Sequence, residues 1–224
     1  MPDRPLLSKD GSVHVTDEFY NTLISSVGAI LAAIGSFFLV SGAWRGSRPG
    51  AVLGFSIYGL TLINMFVSSA LHHGVNGSPK TNHHLRQLDY FAIFMLIAGT
   101  FTPFCLIVLR NSLGWSVLGI IWSLAVTGIA FKAFVPHAPK WLLTSLFIGM
   151  GWLGLMIVKP VSRAIHWQGI SALVLGGVFF TVGGLIYALE KPNPVPGRFG
   201  FHEIWHCFVF AGAASHFFLF FCFF

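Results

Sequence analysis

Charged residues are scarce in this sequence of 224 residues. Lysine and arginine contribute 13 residues and aspartate and glutamate 7, so that only 9% of the chain is charged, whereas 55% is hydrophobic. A soluble domain carries about 25% charged residues, and so few charged side chains cannot cover a globule of this size. Lipid must therefore surround most of the chain, which excludes a soluble globular enzyme.

Cysteine is also scarce, and the basic residues form no continuous stripe. Cys105, Cys207 and Cys222 all lie in apolar runs and are odd in number, which excludes a disulfide framework and a cysteine-based zinc pattern. The formal net charge is +6, but the basic residues are dispersed between the apolar runs, so we predict no nucleic-acid partner. Dispersed positive charge is typical of the loops of a multi-pass membrane protein.

Long apolar runs dominate what is present. Seven of them are long enough to cross a bilayer as helices, and none has the in/out alternation of a barrel strand. The predicted spans are 19–43, 51–73, 89–109, 113–134, 141–158, 166–188 and 201–224. The fold class is therefore all-α, a polytopic membrane protein with a bundle of seven transmembrane helices, in which 19–224 form one transmembrane domain.

A polar tail, 1–18, precedes the first span. Its acidic residues, the late start of the apolar run and the length of that run argue against a cleaved signal peptide. The side that holds this tail carries eight lysines and arginines and the other side carries five. This distribution predicts a cytoplasmic N-terminus, an outside C-terminus and a multi-pass location in the inner (plasma) membrane.

The breaks between and within the spans carry two further predictions. Pro103 falls inside the third span and is expected to kink it. His83 and His84 fall between the second and third spans, where we predict a polar, solvated loop.

Histidine is abundant, and six of the ten histidines cluster near predicted helix ends. His202 and His206 are four residues apart on one helix face, about 6 Å from each other, so both imidazoles can reach one ion. Chance alone supplies about 0.4 such pairs in a chain with this histidine content, so the spacing is weak evidence for a metal site. The topology strengthens the evidence for a metal site, because one membrane face holds the end of the second span together with Asp89 and His202.

Each of these polar residues also has a purely structural interpretation. His202 at headgroup depth would only hydrogen-bond to lipid or water. Asp89 could be the N-cap of the third helix or pair with Arg86, and Ser69 could bond back to a carbonyl of its own helix.

Two neighbours on the last span are predicted to lie outside any metal site. Glu203 points about 100° away from His202. We therefore expect it to contact a metal ligand or to face the membrane–water interface rather than to bind a metal itself. His216 lies about 15 Å beyond His206 along the helix axis, and its expected role is a hydrogen bond across the bundle.

Three segments resemble the hemolysin III family, the bacterial branch of the progestin and adipoQ receptor superfamily. Ser69–His73 (SALHH) is similar to the family's Ser-x-Leu-x-His at the end of the second span. Leu88–Tyr90 (LDY) with Ile97–Phe104 (IAGTFTPF) resembles its third span, and Phe201–His206 (FHEIWH) with the later His216 resembles its seventh. With the seven-span layout, the resemblance covers nearly the whole chain.

The doubled histidine leaves the register of the second-span motif open. Ser68 with His72 and Ser69 with His73 both satisfy a four-residue spacing. Leu71, two places after Ser69, fits the family pattern, which favours His73 as the ligand and keeps His72 as the alternative.

The resemblance implies a zinc ion, Zn2+, held by His73, His202 and His206 near the cytoplasmic face, with water in the fourth position. It further implies that Asp89 hydrogen-bonds this water and that Ser69 donates to a reacting oxygen or to Asp89. Such a site suits hydrolysis of an amide or ester in a membrane lipid, as in ceramide-like substrates, and thus a role in lipid homeostasis.

Two other functions are compatible with the sequence. One is a receptor-like or regulatory membrane protein in which zinc is structural. The other is a pore or hemolytic protein, although the polar residues cluster at one membrane face and, His216 apart, do not continue across the bilayer.

Overall fold

A computed structural model describes residues 18–224, and the predicted tail 1–18 lies, apart from Glu18, outside the described residues. Eight α-helices follow one another along these residues, and they contain no β-strand. The helices are α1 (Phe19–Arg45), α2 (Pro49–Gly74), α3 (Pro79–Pro103), α4 (Ser112–Phe134), α5 (Lys140–Trp152), α6 (Leu155–Ser162), α7 (Trp167–Leu189) and α8 (Phe201–Phe223).

These helices confirm the predicted bundle of seven transmembrane segments. A π-helical turn, Phe104–Val108, extends α3, and α5 with α6 forms one segment. Within residues 18–224, seven helical segments are therefore long and apolar enough to cross a membrane. Large apolar side chains such as Ile30, Phe37 and Leu60 are exposed on the outside of the bundle. Lipid is the solvent in which such a surface is stable.

The third segment begins ten residues earlier than predicted. Ser78 caps α3 by accepting a hydrogen bond from the backbone N–H of Thr81 (3.2 Å), and Pro79 occupies the first turn, where its missing N–H costs nothing. The prediction that His83 and His84 lie in a loop was therefore wrong, because both are helical. His84 is exposed and His83 is half-buried.

The helical hydrogen-bond pattern of the third segment changes at Pro103, the residue at which the sequence predicts a kink. α3 ends at Pro103 and the chain continues as the π-helical turn, which closes with the backbone N–H of Leu109 donating to the carbonyl of Phe104. Thr102 donates to the carbonyl of Ala98 (2.9 Å) and accepts from the indole N–H of Trp122 on α4 (3.2 Å). The irregular backbone is thus tied to a neighbouring helix.

Helix α2 lies at the centre of the arrangement that positions the polar residues. It packs between α1 and α3, while α8 packs against α7 and α1. Because successive segments run in opposite directions, the start of α1, the end of α2, the start of α3 and the start of α8 share one end of the bundle. We call this the histidine end.

Candidate metal centre at the histidine end

Three imidazoles from two distant parts of the chain meet at the histidine end. His73 comes from the last turn of α2, and His202 and His206 come from the first two turns of α8. Their ring centroids form a nearly equilateral triangle, with sides of 5.0 Å (His73–His202), 4.8 Å (His73–His206) and 4.9 Å (His202–His206). His73 is therefore within reach of two histidines that follow it by 129 positions or more in the sequence.

The donor atoms of this triangle fit a metal ion. Each ring offers one nitrogen such that the three nitrogens lie within 4.8 Å of one another, and the Nε2 atoms of His73 and His206 are 3.1 Å apart. A tetrahedral zinc ion with Zn–N bonds of about 2.0–2.1 Å separates its ligand nitrogens by about 3.3 Å. His73 and His206 are buried, which favours metal ligands over solvated histidines.

The neighbouring histidine belongs to a second group. His72, His73 and Asp89 also offer ligand atoms within 4.8 Å of one another, and the His72 and His73 ring centroids are 4.6 Å apart. His73 is common to both groups, whereas His72 is not part of the triangle with His202 and His206. The geometry thus favours His73 over His72 as the third member of the triangle.

Asp89 lies beside the imidazoles on α3. Its carboxyl group interacts with the side chains of Ser69 and His202, and its buried Oδ1 atom has no hydrogen-bond partner among the described residues. The alternative of an N-cap was wrong, since α3 begins at Pro79 and Ser78 is the cap. Among the described residues Asp89 forms no ion pair with Arg86 either. A buried carboxylate oxygen with no partner indicates a ligand or a bound water.

Ser69 contacts another helix instead of its own backbone. Its Oγ lies 2.9 Å from the Oγ of Ser25 on α1, and both hydroxyls are buried. The predicted alternative, a bond to a carbonyl of its own helix, is therefore not what the structure has. Ser25 was missed by the sequence analysis, because a serine within an apolar run carries no motif.

A small cavity opens beside Asp89 and His202. It measures about 20 Å³, and His72, Arg86, Asp89, Thr144, His202 and Trp205 are among the residues that line it. Within the part of the chain that the structure describes, the buried Oγ1 of Thr144 has no hydrogen-bond partner. A polar cavity of about 10–15 Å³ is enough for one water molecule, so the space next to Asp89 accommodates a water.

Two residues at the start of α1 also reach the site and were missed. Glu18 Oε2 lies 2.6 Å from His73 Nδ1, and the side-chain amide of Asn21 donates to both Glu18 Oε2 (2.9 Å) and Glu203 Oε1 (2.8 Å). The sequence analysis assigned Glu18 to the polar tail and gave Asn21 no role. Glu203 is buried and is not one of the three residues of the triangle. His216 forms the predicted hydrogen bond across the bundle, with its Nε2 donating to the carbonyl of Leu173 on α7 (3.2 Å).

The fold and the site of residues 18–224 together define a class, a multi-pass membrane protein whose described part has seven helical segments and a histidine cluster at one end. The chain belongs to the family described as Haemolysin-III related, whose sequence profile matches residues 13–217. It is 38% identical to Hemolysin-3 of Bacillus cereus over 204 residues, which cover 91% of this chain and 90% of that protein. The resemblance seen in the sequence is confirmed.

More distant relatives occur in eukaryotes. The chain is 25% identical over 168 residues to the monocyte to macrophage differentiation factor of Homo sapiens, covering 72% of this chain and 66% of that protein. It is 27% identical over 187 residues to heptahelical transmembrane protein 5 of Arabidopsis thaliana, covering 73% of this chain and 48% of that protein.

Proposed function

We propose that this protein is a zinc-dependent hydrolase of the inner (plasma) membrane that cleaves an amide or ester bond in a membrane lipid and so serves lipid homeostasis. The observation that carries the proposal is the convergence of His73, His202 and His206 within 4.8 Å, with the partnerless Oδ1 of Asp89 beside them. Three neutral imidazoles with an open fourth position are the ligand set of a catalytic zinc site, whereas structural sites are closed.

The side chains around the triangle have roles that suit hydrolysis. When bound, zinc supplies Lewis acidity to a carbonyl oxygen and to water. Asp89 lines the cavity that accommodates a water, and its free oxygen accepts a proton from that water. Ser69 donates a hydrogen bond to Asp89 or to the oxygen of the substrate, while Ser25 holds the Ser69 hydroxyl at 2.9 Å.

A second candidate function is a regulatory membrane protein with structural zinc. The size of the cavity favours it, because about 20 Å³ accommodates a water molecule but not an acyl chain. In this case zinc would join α2 to α8 and stabilise the bundle without turnover. Binding of a metal to the native state raises the free energy of unfolding with the logarithm of the ratio of metal concentration to dissociation constant.

The deciding experiment measures zinc content and fatty-acid release on the same purified preparations. The wild-type protein is expected to bind about one zinc per chain and to release fatty acid from ceramides or phospholipids in mixed micelles. His206→Ala should lose both zinc and release. Asp89→Asn should keep zinc but release fatty acid about 10²–10⁴-fold more slowly, because the proton acceptor is gone.

His84→Ala is the matched control, since His84 is exposed on α3 and outside the triangle. It should behave as the wild type in both measurements. Bound zinc without release from any lipid class would favour the regulatory candidate, and a melting temperature that falls on chelation would support it. Dye leakage from liposomes at low protein density would instead favour a lytic activity, the property in the name of the Bacillus cereus relative.

A further inference from the structure

A carboxylate lies directly behind the imidazole of His73. Glu18 Oε2 is 2.6 Å from His73 Nδ1, on the opposite side of the ring from the Nε2 that faces His206. Because an ionised carboxylate only accepts hydrogen bonds, Nδ1 carries the hydrogen and donates it. The tautomer is thereby fixed, and the lone pair of Nε2 points into the triangle of imidazoles.

Asn21 connects this carboxylate to a second one. Its amide nitrogen donates one hydrogen bond to Glu18 Oε2 (2.9 Å) and one to Glu203 Oε1 (2.8 Å), and its side chain is buried. An amide has two N–H groups, so both are used by carboxylates. We call Glu18, Asn21 and Glu203 the carboxylate network.

The network also fixes the helix that carries the other two imidazoles. Glu203 Oε2 accepts from the backbone N–H of Gly200 (2.7 Å), the N-cap residue of α8, and only 1% of Glu203 is exposed. His202 and His206 lie in the first two turns of this helix. The start of α1, the end of α2 and the start of α8 are therefore held in register by one set of hydrogen bonds.

The charges in this region call for a cation. Glu18 and Glu203 share one amide, and Asp89 offers a carboxyl oxygen within 4.8 Å of a ring nitrogen of His73, so that three carboxyl groups lie in this region. Clustered carboxylates at a buried site repel one another unless positive charge compensates them. A divalent cation at the imidazoles would be the largest local positive charge and would offset this repulsion.

We propose that Glu18 is the positioning residue of His73 and that the carboxylate network raises the affinity of the histidine triangle for a divalent cation. The inference rests on the proposed function in one respect, namely that the triangle binds a metal. It does not depend on hydrolysis and applies equally to a structural ion. A hydrogen-bonded partner of a ligating histidine raises the basicity of that histidine and orients its ring.

The test is the dissociation constant for zinc of the full chain in detergent, measured by competition with a chromophoric chelator. Glu18→Gln keeps a hydrogen-bond acceptor for Nδ1 but removes the charge, and Glu18→Ala removes both. Loss of such a partner lowers metal affinity about 10–100-fold, so we expect at least the lower value for Glu18→Gln and a larger loss for Glu18→Ala. The cobalt-substituted protein should show a shifted visible absorption spectrum in both variants.

Glu190→Gln is the matched control. Glu190 lies at the same end of the bundle and pairs with Lys140 (3.0 Å), so its variant also removes one carboxylate there but none from the network. Its dissociation constant should stay within about twofold of the wild type. Melting of the zinc-free proteins checks the fold, since a positioning role in metal binding predicts similar melting temperatures for the wild type and Glu18→Gln after chelation.

The outcomes separate this inference from the proposed function. Equal zinc affinity and an unchanged cobalt spectrum in Glu18→Gln overturn the inference, while a zinc-binding wild type leaves the proposed function standing. A wild type whose zinc binding does not depend on His206 overturns both. If Glu18→Gln does not fold, Asn21→Ala is measured instead, because it breaks the network at another residue. Weaker zinc binding in Asn21→Ala supports the inference, and unchanged zinc binding overturns it.

Discussion

At the scale of single residues, the hydrogen bond between Ser25 and Ser69 links α1 to α2 inside the apolar part of the bundle. The two oxygens are 2.9 Å apart and neither residue is more than 1% exposed. Burial shields these hydroxyls from bulk water, yet in a membrane the hydroxyls of separated helices also find other partners. Such bonds therefore contribute about 0.6 kcal/mol on average, less than burial alone suggests.

A double-mutant cycle should detect this bond. We expect Ser25→Ala and Ser69→Ala to be coupled by about 0.6 kcal/mol in the free energy of unfolding, measured in bicelles. The control cycle pairs Ser69→Ala with Ser145→Ala, because the hydroxyl of Ser145 donates to the carbonyl of Trp141 in its own helix. Additive effects in the first cycle, as expected for the second, would show that the two serines do not interact.

Only part of the candidate site could be predicted at this scale. The four-residue spacing places His202 and His206 on one helix face in any α-helix. Glu18, Asn21 and Ser25 have no such local signal, because their roles depend on how the start of α1 packs against α2 and α8. Non-local packing of this kind is decided by the shapes of whole helices and cannot be read from the spacing of residues within one of them.

At the scale of helices, the contact between α7 and α8 depends on a glycine. His216 Nε2 donates to the carbonyl of Leu173, which brings its ring across α7. A Cβ atom at Gly176 would lie only 2.3 Å from His216 Cδ2, well inside van der Waals contact. The next residue, Gly177, has nothing within 4 Å of an added Cβ.

Alanine substitutions at these two glycines should therefore have opposite consequences. Gly176→Ala is expected to push His216 out of its hydrogen bond and to lower stability by about 1–3 kcal/mol, as overpacking of a core does. Gly177→Ala should be neutral or slightly stabilising, because alanine favours a helix over glycine by about 0.8–1 kcal/mol. Melting of both variants in one detergent gives the comparison, and equal melting temperatures would contradict the proposed contact.

The boundaries of α3 illustrate what a hydropathy pattern misses at this scale. Its first ten residues, 79–88, are mostly polar, so the apolar run begins only at Asp89 and the predicted span began there too. The local signal was nevertheless present, because Ser78 followed by Pro79 is the pattern of an N-cap with proline in the first turn. Long apolar runs predict that a helix exists more reliably than they predict where it begins.

At the scale of the whole molecule, the bundle carries markers of its position in the membrane. Trp44, Trp115 and Trp167 are all strongly exposed and lie at helix ends opposite the histidine end. Exposed tryptophans at helix ends are typical of the boundary between lipid headgroups and the apolar core. The number of segments was predictable because lipid requires every backbone polar group to be satisfied within a helix, and the apolar runs alone define such helices.

The orientation of the bundle is the last prediction, and it follows from charge. The sequence assigns eight of the thirteen lysines and arginines to the side on which the first span begins, and the positive-inside rule predicts that this side is cytoplasmic. Asn76, between α2 and α3, and Ala164, between α6 and α7, are exposed residues at opposite ends of the bundle. We therefore expect a membrane-impermeant maleimide to label Ala164→Cys in intact spheroplasts and Asn76→Cys only after lysis.

Both variants are made in a chain whose three native cysteines are replaced by serine, and this chain without an added cysteine should stay unlabelled. Labelling of Asn76→Cys alone before lysis would place the histidine end outside, where a hydrolase would meet lipids of the outer leaflet instead.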